Sequence, residues 1–363
     1  REQAERRLRQ IVVEWVQTKQ QLFPLTSLLQ RNSEHSPEQH RRLGRVLAAH
    51  EHEELNLLWR PTMINVPPQW QGKDHPMLSD VLRELSAQTG YHIVQSRFQT
   101  QQELQANKIA FPKGEQKTFW EVGKVVRDAL GDLQWQVGSD QALRHTSPVT
   151  WKQWTCPKGA AIAMLHTLYG RDEDVALSVT LEPKLLFGGV TVEQWEVRGE
   201  DGKTVVLCES AQQSRMWAGI KLPSIPKARK ALLSATTTII AHEQVTVPIT
   251  HLKKGQDIMK TRSFTFQFQG VHGGPGRGDV WRGRAATPND QAIAQEQMHL
   301  IRCRAFDAKG QLLRVRVAEW LDFPVRTFEW EFWEEPSRIE FIIPGRTTTR
   351  TETFTFADVP LPQ

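Results

Sequence analysis

The sequence predicts a multidomain α+β protein: a helical hairpin over 1–60, a βαββαββ module over 61–146, and two all-β sandwich domains over 150–252 and 253–363. Three observations carry this. Apolar residues recur at three- and four-residue spacing only in the first 130 or so positions, the period of an amphipathic helix. Beyond Trp151 the pattern becomes short alternating runs broken by Gly, Pro and charged turns, the texture of a sandwich. Two stretches of that second part resemble each other, which predicts a repeated domain.

In the first segment Leu8, Ile11, Val12, Trp15 and Val16 form one apolar stripe, ended by Pro24. Ser36 then caps a second helix, with Pro37 at its first turn and Gln39 three residues past the cap. That helix carries Leu43, Val46, Leu47, Leu55, Leu57, Leu58 and Trp59. His50 and His52 beside three glutamates do not read as a metal site, because positions two apart do not share a helix face.

In the module, Thr62 to Val66 reads as a strand between prolines. A helix from Pro76 puts Leu78, Val81, Leu82 and Leu85 on one face and ends at Gly90. Tyr91 to Gln95 and Lys108 to Phe111 read as strands. Thr118 and Glu121 have the spacing of a capping box opening a second helix, with Val122, Val125, Val126 and Ala129 inward and Gly131 closing it. Leu133 to Val137 and Ala142 to Arg144 flank a turn and complete a hairpin.

The run SDVLRELSAQTGYHIV, Ser79 to Val94, followed by KIAFPKGEQKTFWEVGKVVRDALGDLQWQV, Lys108 to Val137, resembles the short N-terminal domain shared by secretins and TonB-dependent receptors. The likeness lies in the helix reading "aLreLaeqTGl.iv" before a strand and a second helix before a hairpin. It covers less than a quarter of the chain, and its motifs are packing and capping motifs that specify a fold better than an activity. The chain is also similar to modular exported proteins of planctomycete-type bacteria, in which such a domain precedes sandwich repeats ending near a sequence like Asp358-Val359-Pro360-Leu361. What the resemblance implies is an extracytoplasmic protein, in the periplasm or cell envelope, that works by contact with protein partners there; a homo-oligomer or a place in a larger assembly is the expected form of that contact. Any export signal is expected to lie outside these residues.

In the β region, strands are expected at Val175 to Leu181, Val190 to Val197, Thr204 to Cys208, Ile239 to Ile240 and Gln244 to Ile249, with a hairpin turn at Glu200 to Lys203. A second set is expected at Ser263 to Phe268, Met298 to Phe306, Gln311 to Val317, Thr327 to Trp333, Arg338 to Ile343 and Thr351 to Phe356. WEVRGEDGKTVV at Trp195 parallels CRAFDAKGQLL at Cys303. The run from Pro226 parallels the run from Glu335, each with Thr-Thr-Thr between two strand patterns. The expected arrangement is two beads of one domain type.

Composition narrows function. The 46 Lys and Arg stand against 41 Asp and Glu, interleaved along the chain, so no basic face speaks for nucleic acid. No apolar run approaches the roughly 18 residues of a membrane-spanning helix. Cys156, Cys208 and Cys303 match no zinc spacing and read as buried thiols, with a Cys156–Cys208 bridge as the alternative in an oxidising compartment. Thirteen Trp against two Tyr read mainly as core, and exposed Trp on a sandwich would make carbohydrate binding the alternative function. Trp330 and Trp333 are the discriminating pair.

Neither Gly-x-Ser-x-Gly nor His-Glu-x-x-His occurs, and the glycine-rich run Gly270 to Gly278 lacks the Lys and the helix of a phosphate loop. No catalytic residue, metal ligand or cofactor is assigned, and a non-enzymatic structural or adaptor role is expected. The contact candidates are Leu8, Val12 and Trp15 on the first helix, and His272, Arg277 and Trp281 in a long loop.

Overall fold

The computed structural model describes residues 53–71, 76–94, 109–111, 116–130, 134–137, 143–146, 153–168, 171–200, 202–207, 212–213, 217–225, 228–249, 257–260, 265–272, 280–286, 300–313, 315–322, 325–332, 334 and 336–361. The chain divides into two compact units, Arg1–Arg60 and Pro61–Gln363. Of the first, residues 53–58 are helical, and the rest of the expected helical hairpin lies outside the described residues.

The second unit begins with β1 (Met63–Asn65), a 3-10 turn at Pro68–Gln71, helix α1 (Leu78–Thr89) and β2 (Ile93–Val94). It continues with β3 (Gln116–Thr118), helix α2 (Phe119–Leu130), β4 (Gln134–Val137) and β5 (Leu143–Thr146). β1 pairs with β3, and β2, β5 and β4 form a separate mixed sheet. The helix ends are where local chemistry puts them. Gly90 takes φ 68°, a left-handed conformation that costs glycine nothing, and its N–H returns to the Ser86 carbonyl at 2.9 Å. Thr118 and Glu121 close a reciprocal box, the Glu121 carboxylate accepting from Thr118 N–H at 2.7 Å and the Thr118 hydroxyl from Glu121 N–H at 3.3 Å.

Two expectations change here. Ile109 to Phe111 form no strand. Ile109 and Phe111 are buried, and Ile109 N–H bonds the Pro76 carbonyl, so the alternation reflects a loop pressed into the core. The strand that pairs with β1 is the polar Gln116–Thr118, which shows no apolar alternation. The module's core, with Leu78, Val81, Leu85, Phe119, Trp120 and Val126, also takes in Ile162 from the following β region. Trp120 Nε1–H donates to the Ala160 carbonyl at 3.1 Å.

The β region starts with β6 (Gln153–Lys158), β7 (Ala161–Leu168), β8 (Arg171–Leu181), β9 (Leu185–Gly199), β10 (Thr204–Leu207), β11 (Gln212–Gln213), β12 (Trp217–Lys221) and β13 (Lys230–Ile249). A second set follows: β14 (Asp257–Lys260), β15 (Thr265–His272), β16 (Val280–Ala286), β17 (Arg302–Phe306), β18 (Val315–Asp322), β19 (Val325–Phe332) and β20 (Arg338–Pro360). One five-stranded sheet runs β11-β12-β8-β7-β6 and another β18-β19-β16-β15-β14, the same order strand for strand. The third runs β10-β9-β13-β20-β17 and takes strands from both sets.

The repeat extends to the turns. Gly199 N–H bonds the Lys203 carbonyl and Gly202 N–H the Gly199 carbonyl; in the second set Asp307 bonds Gln311 and Gly310 bonds Asp307 in the same way. Gly202 at φ 80° and Gly310 at φ 77° hold the left-handed position that ends this hairpin turn. Leu312, bridging to Phe306, stands where β10 stands in the first set.

The boundary expected at 252/253 does not separate two sheets. β13 and β20 pair from Lys230↔Pro360 to Ile249↔Ile339, with bulges between Ala231 and Leu233 and between His242 and Gln244. Both Thr-Thr-Thr runs lie inside these continuous strands, as suits a β-branched residue. Each strand serves both sets: Ile249 joins Cys303, Trp330, Phe332 and Phe341 in the second core, while Glu352 on β20 pairs with Lys158 of β6 at 3.1 Å.

Candidate functional site

A buried polar cluster lies where the α/β module meets the first strand set. Glu182, fully buried in the turn from β8 to β9, is its centre. Its backbone is fixed from both sides, Glu182 N–H bonding the Ala160 carbonyl at 2.8 Å and Leu185 N–H the Glu182 carbonyl at 2.9 Å. Its carboxylate accepts from Thr62 N–H at 3.0 Å, the Thr62 hydroxyl at 2.5 Å and the Tyr91 hydroxyl at 2.9 Å, and pairs with Lys184 Nζ at 3.1 Å. Lys184 Nζ also reaches the Thr62 hydroxyl at 3.2 Å.

A buried charge persists only when its lone pairs are satisfied, and here a cation and three donors satisfy them. Burial, and then the negative charge of Glu182, push the Tyr91 phenol well above its ordinary range. Tyr91 is therefore a donor at physiological pH, and its proton is committed to Glu182. The arrangement fastens two segments 120 residues apart.

Tyr91 also lines an open cleft of about 460 Å³, with Ser86, Ala87, Gly90, His92, Ile93 and Leu312. The cleft exists because Gly90 turns the chain out of α1 while Tyr91 packs edge-on against Phe119, the ring centroids 5.3 Å apart. His92 approaches Phe306 at 5.7 Å, and the Arg338 guanidinium lies 4.4 Å from the same ring's centroid. A second cluster marks the bulge of the shared sheet. His242 Nδ1 meets the Thr347 hydroxyl at 3.1 Å, and Arg346 grips Glu243 with two nitrogens at 2.8 and 3.0 Å. Burial lowers the pKa of His242, whose Nε2 would sit 2.7 Å from a Cβ added at Gly188.

No family model, curated protein or solved structure matches this chain. Function rests on the residues themselves. Leu8, Val12, Trp15 and Arg277 lie outside the described residues. His272 and Trp281 belong to paired strands instead of a long loop, His272 opposite Val280 and Trp281 between Val271 and Phe332. Trp330 is 1% exposed and packs edge-on against Phe341 at 5.4 Å, so it is core and no sugar platform; Trp333 lies outside the described residues. Cys156 is half-buried and Cys303 buried, neither in a disulfide, and Cys208 lies outside the described residues. Among the described residues, no three His, Cys, Asp or Glu gather as metal ligands and no helix is long and apolar enough to cross a membrane. Thr62, Glu182 and Lys184 carried no signal in the sequence, because a lone glutamate between strand patterns reads as solvated until the fold encloses it.

Proposed function

We propose that this protein is a non-catalytic structural or adaptor component of a bacterial cell envelope, acting through protein contacts within a homo-oligomer or larger assembly. The observation that carries the reading is the fully satisfied Glu182 cluster. It spends the polar groups at the main junction on fastening the α/β module to a doubled β region whose two sets share one sheet. Such a body is built to hold geometry. The extracytoplasmic setting rests on the resemblance of Ser79 to Val94 and Lys108 to Val137 to the secretin and TonB-receptor N-terminal domain.

The test is the native mass by light scattering of the full chain beside a variant carrying Leu8→Glu, Val12→Glu and Trp15→Glu. A defined oligomer that falls to a smaller species in the variant is the expected result. One mass, that of a monomer, in both proteins would overturn self-assembly through the helical stripe.

A further inference from the structure

We propose that the outer edge of β20 at Thr351–Ala357 is a strand-pairing site for a second copy of this chain, held shut by Lys158. The inference rests on the reading of a contact protein and names one of its contacts.

β20 has β13 along one side throughout, but on its other side β17 pairs only with residues 338–342. Among the described residues no strand pairs with the far side of 351–357. The direction of the backbone there follows from two bonds. In an antiparallel ladder the N–H and C=O of one residue point to the same neighbour, and successive residues alternate. The Glu352 carbonyl accepts the Thr237 hydroxyl of β13 at 3.1 Å, so Glu352 faces inward. Thr351, Thr353 and Thr355 therefore turn their backbone groups outward, where Lys158 Nζ caps the Thr353 carbonyl at 3.2 Å. A lysine laid on an exposed edge is a device that discourages pairing. Lys158 is 45% exposed and can swing into water, while Arg350 stays on Glu352 at 2.5 Å.

The occupant is indicated by what β20 already accepts. On its inner side it pairs with a strand carrying hydroxyls at alternate positions, Ser234, Thr236 and Thr238, which meet Thr355, Thr353 and Thr351 at 3.3, 3.1 and 3.1 Å. Thr351, Thr353 and Thr355 have that same spacing, so the edge is its own complement. Antiparallel pairing about a two-fold axis at Phe354 sets Thr353 across from Thr355 of the other copy, while Arg350 and Asp358 keep their partners Glu352 and Lys230. Two five-stranded sheets then become one, with every outward backbone group of the stretch satisfied.

Sedimentation velocity of the full chain, from micromolar to near-millimolar concentration, tests this. The wild type is expected to show a weak dimer, Lys158→Met one tighter by roughly tenfold, and Thr353→Pro and Thr355→Pro none, since proline removes an outward N–H that β13 does not use. Hydrogen exchange adds a readout independent of the proline variants: in Lys158→Met the amides of 351–357 should gain protection with concentration. Monomers throughout, or exchange at 351–357 that ignores concentration, would overturn the proposal. A dimer unchanged by either folded proline variant but lost in the Leu8, Val12 and Trp15 variant would sink the edge and leave the contact-protein reading standing.

Discussion

The two strand sets share an order and a turn, yet they fill the same place in the shared sheet with opposite side chains. On the first side Trp195 of β9 lies across from Ala235 of β13; on the second Cys303 of β17 lies across from Phe341 of β20. All four are fully buried. One pair sets the large residue on the outer strand and the other sets it on the central strand. The two sets thus share strand pairing while exchanging which strand supplies the bulk, as expected when packing demands volume across a pair instead of identity at a position. The sets also differ in cover. β9 flanks β13 from Ala231 to Glu243, whereas β17 flanks only the first residues of β20, and the first set alone carries the Glu182 fastening.

The largest expected effect breaks this comparison at its bulky member. Trp195→Ala should cost about 3–5 kcal/mol in urea unfolding, against about 1 kcal/mol for Cys303→Ala at the matching place. Equal losses would mean that the two cores are not packed alternatives of one plan. Next, Glu182→Ala should cost about 3 kcal/mol, because Lys184 and the Thr62 and Tyr91 donors would be left facing each other without their acceptor. Limited proteolysis should then cut first between the module and β6; first cleavage within the second set would refute the fastening role.

A smaller effect depends on pH. The raised pKa of Tyr91 keeps the phenol protonated in the folded state after the unfolded one ionises, so stability is complete below the unfolded value of 10.0 and falls above it. The slope should be about 1.4 kcal/mol per pH unit. Phenolate absorbance of Tyr91 should appear only on unfolding, and a Tyr91→Phe variant that retains this late step would dismiss the assignment. Smallest, and sharpest for the repeat, Gly202→Ala and Gly310→Ala should each cost about 1 kcal/mol in thermal melts. Unlike costs would separate the two turns, with Asp307 an evident cause, since its carboxylate holds the N–H groups of Lys309 and Gln311 at 2.8 and 2.7 Å.

Legibility followed range. Gly90, the Thr118 and Glu121 box and the Gly202 turn were readable because each is settled among residues at most five apart. The parallel between Trp195 and Cys303 was readable as well, since both turns place a left-handed glycine at the same point. Lys108 to Phe111 misled because burial of a loop imitates alternation, and Gln116–Thr118 was missed because a strand can be polar on both sides. His272 and Trp281 looked like a loop because the glycines of Gly270 to Gly278 begin inside β15.

The helix end at Gly90, the Thr118 and Glu121 box and the glycine turns are written in the chain itself, because capping and glycine conformations are settled by near neighbours. That β13 and β20 pair along their length, and that Glu182 takes Thr62, Tyr91 and Lys184 as partners, comes from the folded arrangement. Alternation specifies a strand but not its neighbour, and a carboxylate's partners depend on which surfaces the fold brings together around it.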